Sequence, residues 1–447
     1  MRITFFTHYF PPEVNAPATR VYEHTVRWSR EGHEIKVVTC QPNCPNGKVF
    51  EGYQNRFIKD YKEVDGLHVT RVWTFIAANA GKIRRSLNFV TYMLTAILAG
   101  VFGKRPDIIV ATSPQFFCGW AGVIVGKIRR IPVILEIRDV WPASIAAVGV
   151  FRNRPLLSIL LCMERTLYRW STHIVTVGDG YRDHIIERMG GNADKVSVIT
   201  NGVDLEKYVP QPSDESFLHR HDLEGKFVCS YVGTIGMAHR LGVVVKAALK
   251  LKEMGENDIR FLMVGDGADR KHVEQLARDA GVTDMVLFLG IQPKAEIPTI
   301  LASSDVMLVH LRDQPLFRSV IPSKIFEIMA MKRPILIGVD GHARAIVEEA
   351  HAGVFFPPQS ADALVERLLE LRDSPERLAD FSEAGRQYVS LNYNRDTLAA
   401  EYLELIVKVA QMEKRGVSGE RRETRDEKRV DASTGEAVPD QATPRVF

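Results

Sequence analysis

The strongest constraint on this chain is a rhythm that occurs twice. Short Val- and Ile-rich runs of strand length alternate with helical segments, as expected of parallel sheets covered on both faces. In the first half the runs are RITFF, HEIKVVT (His33 to Thr39), HVTRVW (His68 to Trp73), DIIVAT (Asp107 to Thr112), PVILEI (Pro132 to Ile137), HIVTVG (His173 to Gly178) and VSVIT (Val196 to Thr200). The motif NGVD, Asn201 to Asp204, and a polar Pro-containing stretch then link the halves. The rhythm restarts with FVCSYVG (Phe227 to Gly233), RFLMVG (Arg260 to Gly265), VLFLG (Val286 to Gly290), VMLVHL (Val306 to Leu311), PILIGV (Pro334 to Val339) and GVFFP (Gly353 to Pro357). A chain of 447 residues also exceeds the ~250–300 over which one hydrophobic core keeps growing. The predicted class is therefore α/β, with two doubly wound parallel-sheet domains over 1–205 and 206–390 and a helix over 391–414 returning to the first. Residues 415–447 have few large apolar side chains and mixed charge, and are expected to be a disordered tail.

Charge narrows the functional classes. The 58 basic and 55 acidic side chains leave a formal +3, unlike the strongly cationic body of a nucleic-acid clamp, so no nucleic-acid partner is expected. Five cysteines, odd in number and mostly far apart, fit neither a disulfide framework nor a zinc ribbon, and point to a reducing compartment. The first residues, MRITFFTHYFPP, are too short and interrupted for a secretory apolar segment. One long apolar run, Leu87 to Gly103, is flanked by Lys82, Arg84, Arg85, Lys104 and Arg105. Two readings fit it: a core helix, or a helix resting on an anionic membrane surface.

The segment richest in chemistry is PLFRSVIPSKIFEIMAMKRPILIG, Pro315 to Gly338. A strand leads to a loop with Arg318, then to a helix opening at Pro322 and Ser323, where Pro suits the first turn and Ser can cap it. Amide groups at that helix start, together with Lys324 and Arg318, would form a diphosphate site. Glu327 lies three residues beyond Lys324, on the same helix face, placed to accept hydrogen bonds from ribose hydroxyls. A solvated surface ion pair is the competing account of these two residues. The surrounding IFEIMAM is apolar all round, however, and a buried glutamate there needs a polar partner. The ligand this implies is a nucleoside diphosphate.

These residues resemble the retaining glycosyltransferases of family 4, which have the GT-B fold of two facing Rossmann-like domains. The variant F-R-x-V-I-P-S-K-x-F-E resembles the bacterial surface-polysaccharide branch that includes N-acetyl-L-fucosaminyl transferases. The family has two glutamates eight apart. Glu327 matches the second, whereas Ser319 stands at the first. In YVGTIGMAHRLG, Tyr231 to Gly242, Thr234 and His239 stand where the family has a phosphate-binding Arg and Lys, with Arg240 adjacent. After the first strand, Asn15 and Ala16 replace the family's glycine pair, next to Pro11, Pro12, Glu13 and Arg20. A rigid turn is the alternative reading of that loop. PVILEI runs into RDVWPAS, so Arg138 and Asp139 occupy the place of the family's His-Asp pair, as site residues or as a structural ion pair. Trp141 could stack on a sugar or pack in the core.

The resemblance implies a retaining hexosyl or N-acetylaminodeoxyhexosyl transfer from a nucleoside-diphosphate sugar, UDP favoured, to a polyprenyl-diphosphate-linked saccharide in O-antigen or capsule biosynthesis. It implies no cofactor or metal, and a peripheral location on the cytoplasmic face of the inner membrane. Arg138, Asp139 and Glu13 are the candidate catalytic residues. Asn15, Ala16, Thr234, His239, Arg240, Arg318, Ser323, Lys324 and Glu327 are the candidate donor-binding residues. The competing functions are a sugar-nucleotide 2-epimerase and a catalytically silent scaffold on the same fold. A dinucleotide oxidoreductase would need G-x-G-x-x-G after a strand, and the first-strand loop has no such glycines.

Overall fold

The computed structural model describes residues 1–412, apart from 45–46, 63–66, 78–81, 114, 140, 143–153 and 190–191. The expected disordered tail lies outside the described residues. The first sheet has the order β3-β4-β2-β1-β5-β6-β7-β8, where β1 is Arg2–Phe6, β2 Glu34–Cys40, β3 Ile58–Lys62, β4 His68–Val72, β5 Ile108–Thr112, β6 Val133–Ile137, β7 His173–Thr176 and β8 Val196–Val198. The second has the order β11-β10-β9-β12-β13-β14, with β9 Phe227–Val232, β10 Ile259–Val264, β11 Val286–Gly290, β12 Val306–His310, β13 Ile335–Gly338 and β14 Gly353–Phe355. Every pairing is parallel except β3 with β4. β3, IKDYK, has no counterpart among the predicted strands. Its three charged residues in five read as loop, and it is tolerated as a strand because it sits at the sheet edge.

Strand order fixes where a ligand can sit. β1 is flanked by β2 and β5, and β9 by β10 and β12, so the order in which successive strands are added switches sides at both central strands while all four pairings stay parallel. Ligands of doubly wound sheets bind beyond the carboxyl ends of strands at such switch points. Here the loops leaving β1 and β9 line one shared cleft.

Local signals explain the framing helices. Helix Ala16–Arg30 opens with Asn15, whose side chain accepts from the Ala18 amide at 2.9 Å. It closes before Gly32, which takes φ 85°, the left-handed conformation favoured after a helix end. Helix Phe116–Arg129 packs very close to β5 and β6: a Cβ on Gly122 would overlap Ala111 Cβ, and one on Gly126 would overlap Val133 Cγ2. Gly122→Val is therefore expected to destabilise the first domain by about 1–3 kcal/mol through overpacking, read as a lower urea midpoint at unchanged slope. The last helix, 395–412, returns to the first domain, where Tyr402, Leu403 and Ile406 join Ile3, Phe5 and Trp28 in one core.

Residues 87–102 of the apolar run lie in helix Lys82–Phe102, one face of which joins the core while the other is exposed. Tyr92, Ala96 and Ala99 are buried against the sheet, while Leu87, Leu94, Leu98 and Phe102 are exposed, the last at 83%. Its Arg84–Phe102 portion has mean hydropathy 1.3, long and apolar enough to cross a membrane.

Candidate functional site

The cleft between the sheets has a volume of about 460 Å³. It is lined from the first domain by Asn15, Ala16, Arg20, Glu23 and Arg138, and from the second by Thr234, His239, Ser323, Lys324 and Glu327. Eight of the twelve predicted site residues meet here across roughly three hundred residues of sequence. Lys207, Tyr208, Lys294 and Arg395 also line it; sequence reading missed all four. Each lies in a linker, a surface turn or the start of the last helix, where no local pattern separates a ligand-facing cation from a solvated one. The lining carries six Lys or Arg against two carboxylates.

On the first-domain side a buried charge network sets the wall. Arg20 donates from Nε to Glu136 Oε2 at 3.2 Å, and from its terminal nitrogens to the Thr200 and Ile199 carbonyls at 2.7 and 2.9 Å. Burial would raise the Glu136 pKa, but Arg20, Arg138 and the Thr112 hydroxyl together hold it below the usual carboxylate value. Glu136 is already committed to Arg20, and Arg138 Nε and Nη1 are buried with no protein hydrogen-bond partner. Burial pulls the Arg138 pKa down to about 10 despite Glu136 nearby. A desolvated guanidinium with free donors is a costly arrangement without an anion to accept them.

On the second-domain side Ser323 precedes helix Lys324–Ala330. Its hydroxyl makes no cap bond, contrary to expectation, because its helical backbone (φ −58°, ψ −21°) turns the side chain away from the amides. Lys324 lies with Nζ 3.9 Å from the Tyr231 ring centroid, and a Cβ on Gly233 would sit 2.6 Å from that nitrogen. Glycine is thus what lets the loop after β9 pass over the ammonium. Burial lowers the Lys324 pKa to about 8, with Glu327 pulling the other way. Glu327 is raised by burial and accepts a hydrogen bond from the Tyr208 hydroxyl, with Arg395, Lys207 and Lys324 around it. This is the polar partner its buried position requires.

Four predicted site residues are placed elsewhere. Glu13 is 3% exposed and spends its carboxylate on main-chain amides, Oε1 on Asn43 and Cys44 at 3.0 and 2.9 Å and Oε2 on Phe10 at 3.3 Å. It ties the loop after β1 to the loop after β2 and is not among the residues that line the cleft. Asp139 lines a neighbouring cavity with Phe116 and Trp141, beside Tyr181. Trp141 stacks on Phe116 at 4.4 Å, in the core sense of its two readings. Arg240 is exposed in a left-handed turn at φ 45°. Arg318 is exposed in a short turn, Pro315–Ser319, where Asp340 draws it to 3.8 Å, away from the cleft lining.

Comparison with known proteins agrees with this architecture. Residues 15–202 match the family model Glycosyl transferase 4-like domain, and residues 214–388 match Glycosyl transferases group 1. The chain is 21% identical over 414 residues to the putative colanic acid biosynthesis glycosyl transferase WcaI of Escherichia coli, covering 90% of this chain and 99% of that protein. It is 29% identical over 290 residues to alpha-D-kanosaminyltransferase of Streptomyces kanamyceticus, covering 63% of this chain and 73% of the relative. Anabaena HepE in complex with UDP-glucose shares the fold with TM-score 0.68 at 16% identity, over 91% of this chain and all of that one. WaaG, a glycosyltransferase involved in lipopolysaccharide biosynthesis, does so with TM-score 0.62 at 15% identity, over 91% of this chain and 99% of its own. Two family models that together span most of the chain, laid on two facing sheets with one cleft between them, show that it belongs to the GT-B glycosyltransferases of family 4.

Proposed function

We propose that this glycosyltransferase moves a sugar, with retention, from a nucleoside-diphosphate donor to a lipid-linked saccharide in cell-surface polysaccharide biosynthesis, and that the favoured nucleotide is UDP. The observation that carries the reading is the excess of cations in the cleft, six against two carboxylates. That imbalance calls for a polyanion, and a diphosphate supplies one. The Glu327–Tyr208 pair suits ribose hydroxyls one helical turn from Lys324. The solved relative with UDP-glucose and the colanic acid and lipopolysaccharide relatives support the choice of donor and process.

In retaining front-face transfer the bond from the anomeric carbon to the diphosphate oxygen breaks. The acceptor hydroxyl adds to that carbon on the same face, and the departing oxygen takes its proton. The task of the chain is then electrostatic: Lys324 and Arg138 stabilise charge as it collects on the leaving diphosphate. No metal is proposed, because these cations can neutralise the diphosphate directly. The exposed stripe Leu87, Leu94, Leu98 and Phe102, with Arg84, Arg85, Lys104 and Arg105 at its ends, is proposed to rest on the cytoplasmic face of a membrane that presents the acceptor.

UDP at one hundred times its dissociation constant is expected to stabilise the purified chain by about 2.7 kcal/mol, with or without EDTA. The chain is expected to float with anionic vesicles and to transfer sugar only when a lipid-linked acceptor is present. Stabilisation by NAD alone, or by no nucleotide, would sink the donor assignment. A new sugar nucleotide formed without acceptor would favour a 2-epimerase. Because the free-enzyme profile reports Lys324, kcat/KM for the donor should fall as pH rises through about 8, where the ammonium is lost. A flat profile to pH 9.5 would exclude Lys324 as the diphosphate cation.

A further inference from the structure

His310 ends β12, a strand otherwise entirely apolar, and is 1% exposed. A histidine so deeply buried must satisfy both ring nitrogens, and here both are engaged. Nδ1 lies 2.6 Å from the His239 carbonyl, and Nε2 accepts from the Gln359 amide at 2.9 Å. These two bonds fix a single neutral tautomer, with the proton on Nδ1, in keeping with the low pKa that burial imposes. The ring stacks on Phe356 at 5.8 Å and 15°. A Cβ on Gly338 would meet His310 Cδ2 at 2.5 Å, so the neighbouring strand keeps a glycine where this ring is seated.

The partner of this histidine is a loop of the cleft. Residues 233–241 leave β9 carrying Gly233, Thr234 and His239 to the lining. The loop is fastened at two places. On one side the Ile235 amide donates to the Asp266 carbonyl at 2.9 Å and its carbonyl accepts from the Asp269 amide at 3.0 Å. The Gly265–Gly267 turn passes so closely that a Cβ on either glycine would overlap the main chain of Gly233 or Ile235. On the other side the Arg312 amide holds the Ala238 carbonyl at 2.8 Å, and His310 holds the next one. With its carbonyl committed to His310, His239 lines the cleft, its ring buried beside Gly236 of the same loop. A loop with an unanchored carbonyl could instead turn that oxygen toward the ligand, which would repel a diphosphate.

We propose that His310 is a positioning residue for donor binding, holding the 233–241 loop so that His239 faces the diphosphate and its carbonyl does not. The inference rests on the donor-site reading above. The probe is UDP binding by calorimetry to the full chain and to His310→Phe, His310→Asn, His239→Ala and the His310→Phe/His239→Ala double variant. Phe retains the stacking and loses both hydrogen bonds, while the Asn amide can still donate to the His239 carbonyl. His310→Phe is expected to weaken UDP about tenfold and His310→Asn by less than about threefold. The double variant should bind about as weakly as His239→Ala alone, since residues acting as one unit are not additive. Unchanged affinity in His310→Phe would overturn the inference while leaving the donor site standing, and so would a fully additive double variant. Equal losses in Phe and Asn variants with a collapsed thermal midpoint would mark His310 as a fold residue and overturn it too. Absence of UDP, GDP and ADP binding in the unaltered chain would overturn the donor-site reading and this inference with it.

Discussion

Lys324→Ala is expected to lower kcat/KM for the donor by about 100- to 1000-fold, the usual cost of deleting one group aimed at charge that develops in the transition state. The reasoning starts from position. Lys324 is the first residue of its helix, lies against the Tyr231 ring at 3.9 Å, and has among the described residues no carboxylate within ion-pair distance of Nζ. Its charge is therefore only partly compensated in the resting protein, by Glu327 one turn away. A leaving diphosphate gains negative charge as the glycosidic bond breaks, so the contact strengthens toward the transition state and kcat should fall along with UDP affinity. Lys324→Arg should not rescue, because Gly233 and Tyr231 leave no room for a planar guanidinium. The fold should hold: burial disfavours the ammonium, so its removal relieves a cost, and thermal unfolding is the control. An Ala variant with unchanged kcat/KM and unchanged UDP affinity would remove Lys324 from the mechanism.

Arg138→Met should separate activity from stability. Its Nε and Nη1 are buried and unpartnered, and burial holds its pKa near 10, below the unfolded value. A basic group whose folded pKa is depressed opposes folding at every pH at which it is charged, so a neutral side chain of similar length is expected to raise the unfolding midpoint. Replacing a poorly compensated buried charge by an apolar group is often neutral or stabilising. The same change should lower kcat/KM by about 100-fold, since the orphaned donors are the ones available to the donor's phosphate or sugar. Calorimetric unfolding and initial rates on one preparation test both halves. A destabilised variant would mean that Arg138 is paid for by Glu136 rather than held for a ligand.

Much of the architecture was legible in the chain. A doubled rhythm of apolar runs and amphipathic helices requires two sheets covered on both faces, because only that arrangement buries every strand. The order of helix signals in P-S-K-x-F-E placed Lys324 and Glu327 on one turn, since i to i+3 spacing is a local property. β3 escaped notice because an edge strand buries too little to need an apolar pattern. Which charged residues share the cleft was decided by the tertiary structure alone. Arg318 and Arg138 look alike in sequence, each a cation after a strand, but one meets Asp340 at the surface and the other is walled in beside an already occupied Glu136. Glu13 looked available and is consumed by three amides. Tyr208, Lys207, Lys294 and Arg395 reach the site from the linker, a turn and the returning helix. Local spacing sets which residues share a face of one element; packing two domains sets which faces meet, and desolvation there decides which charges are left without a partner.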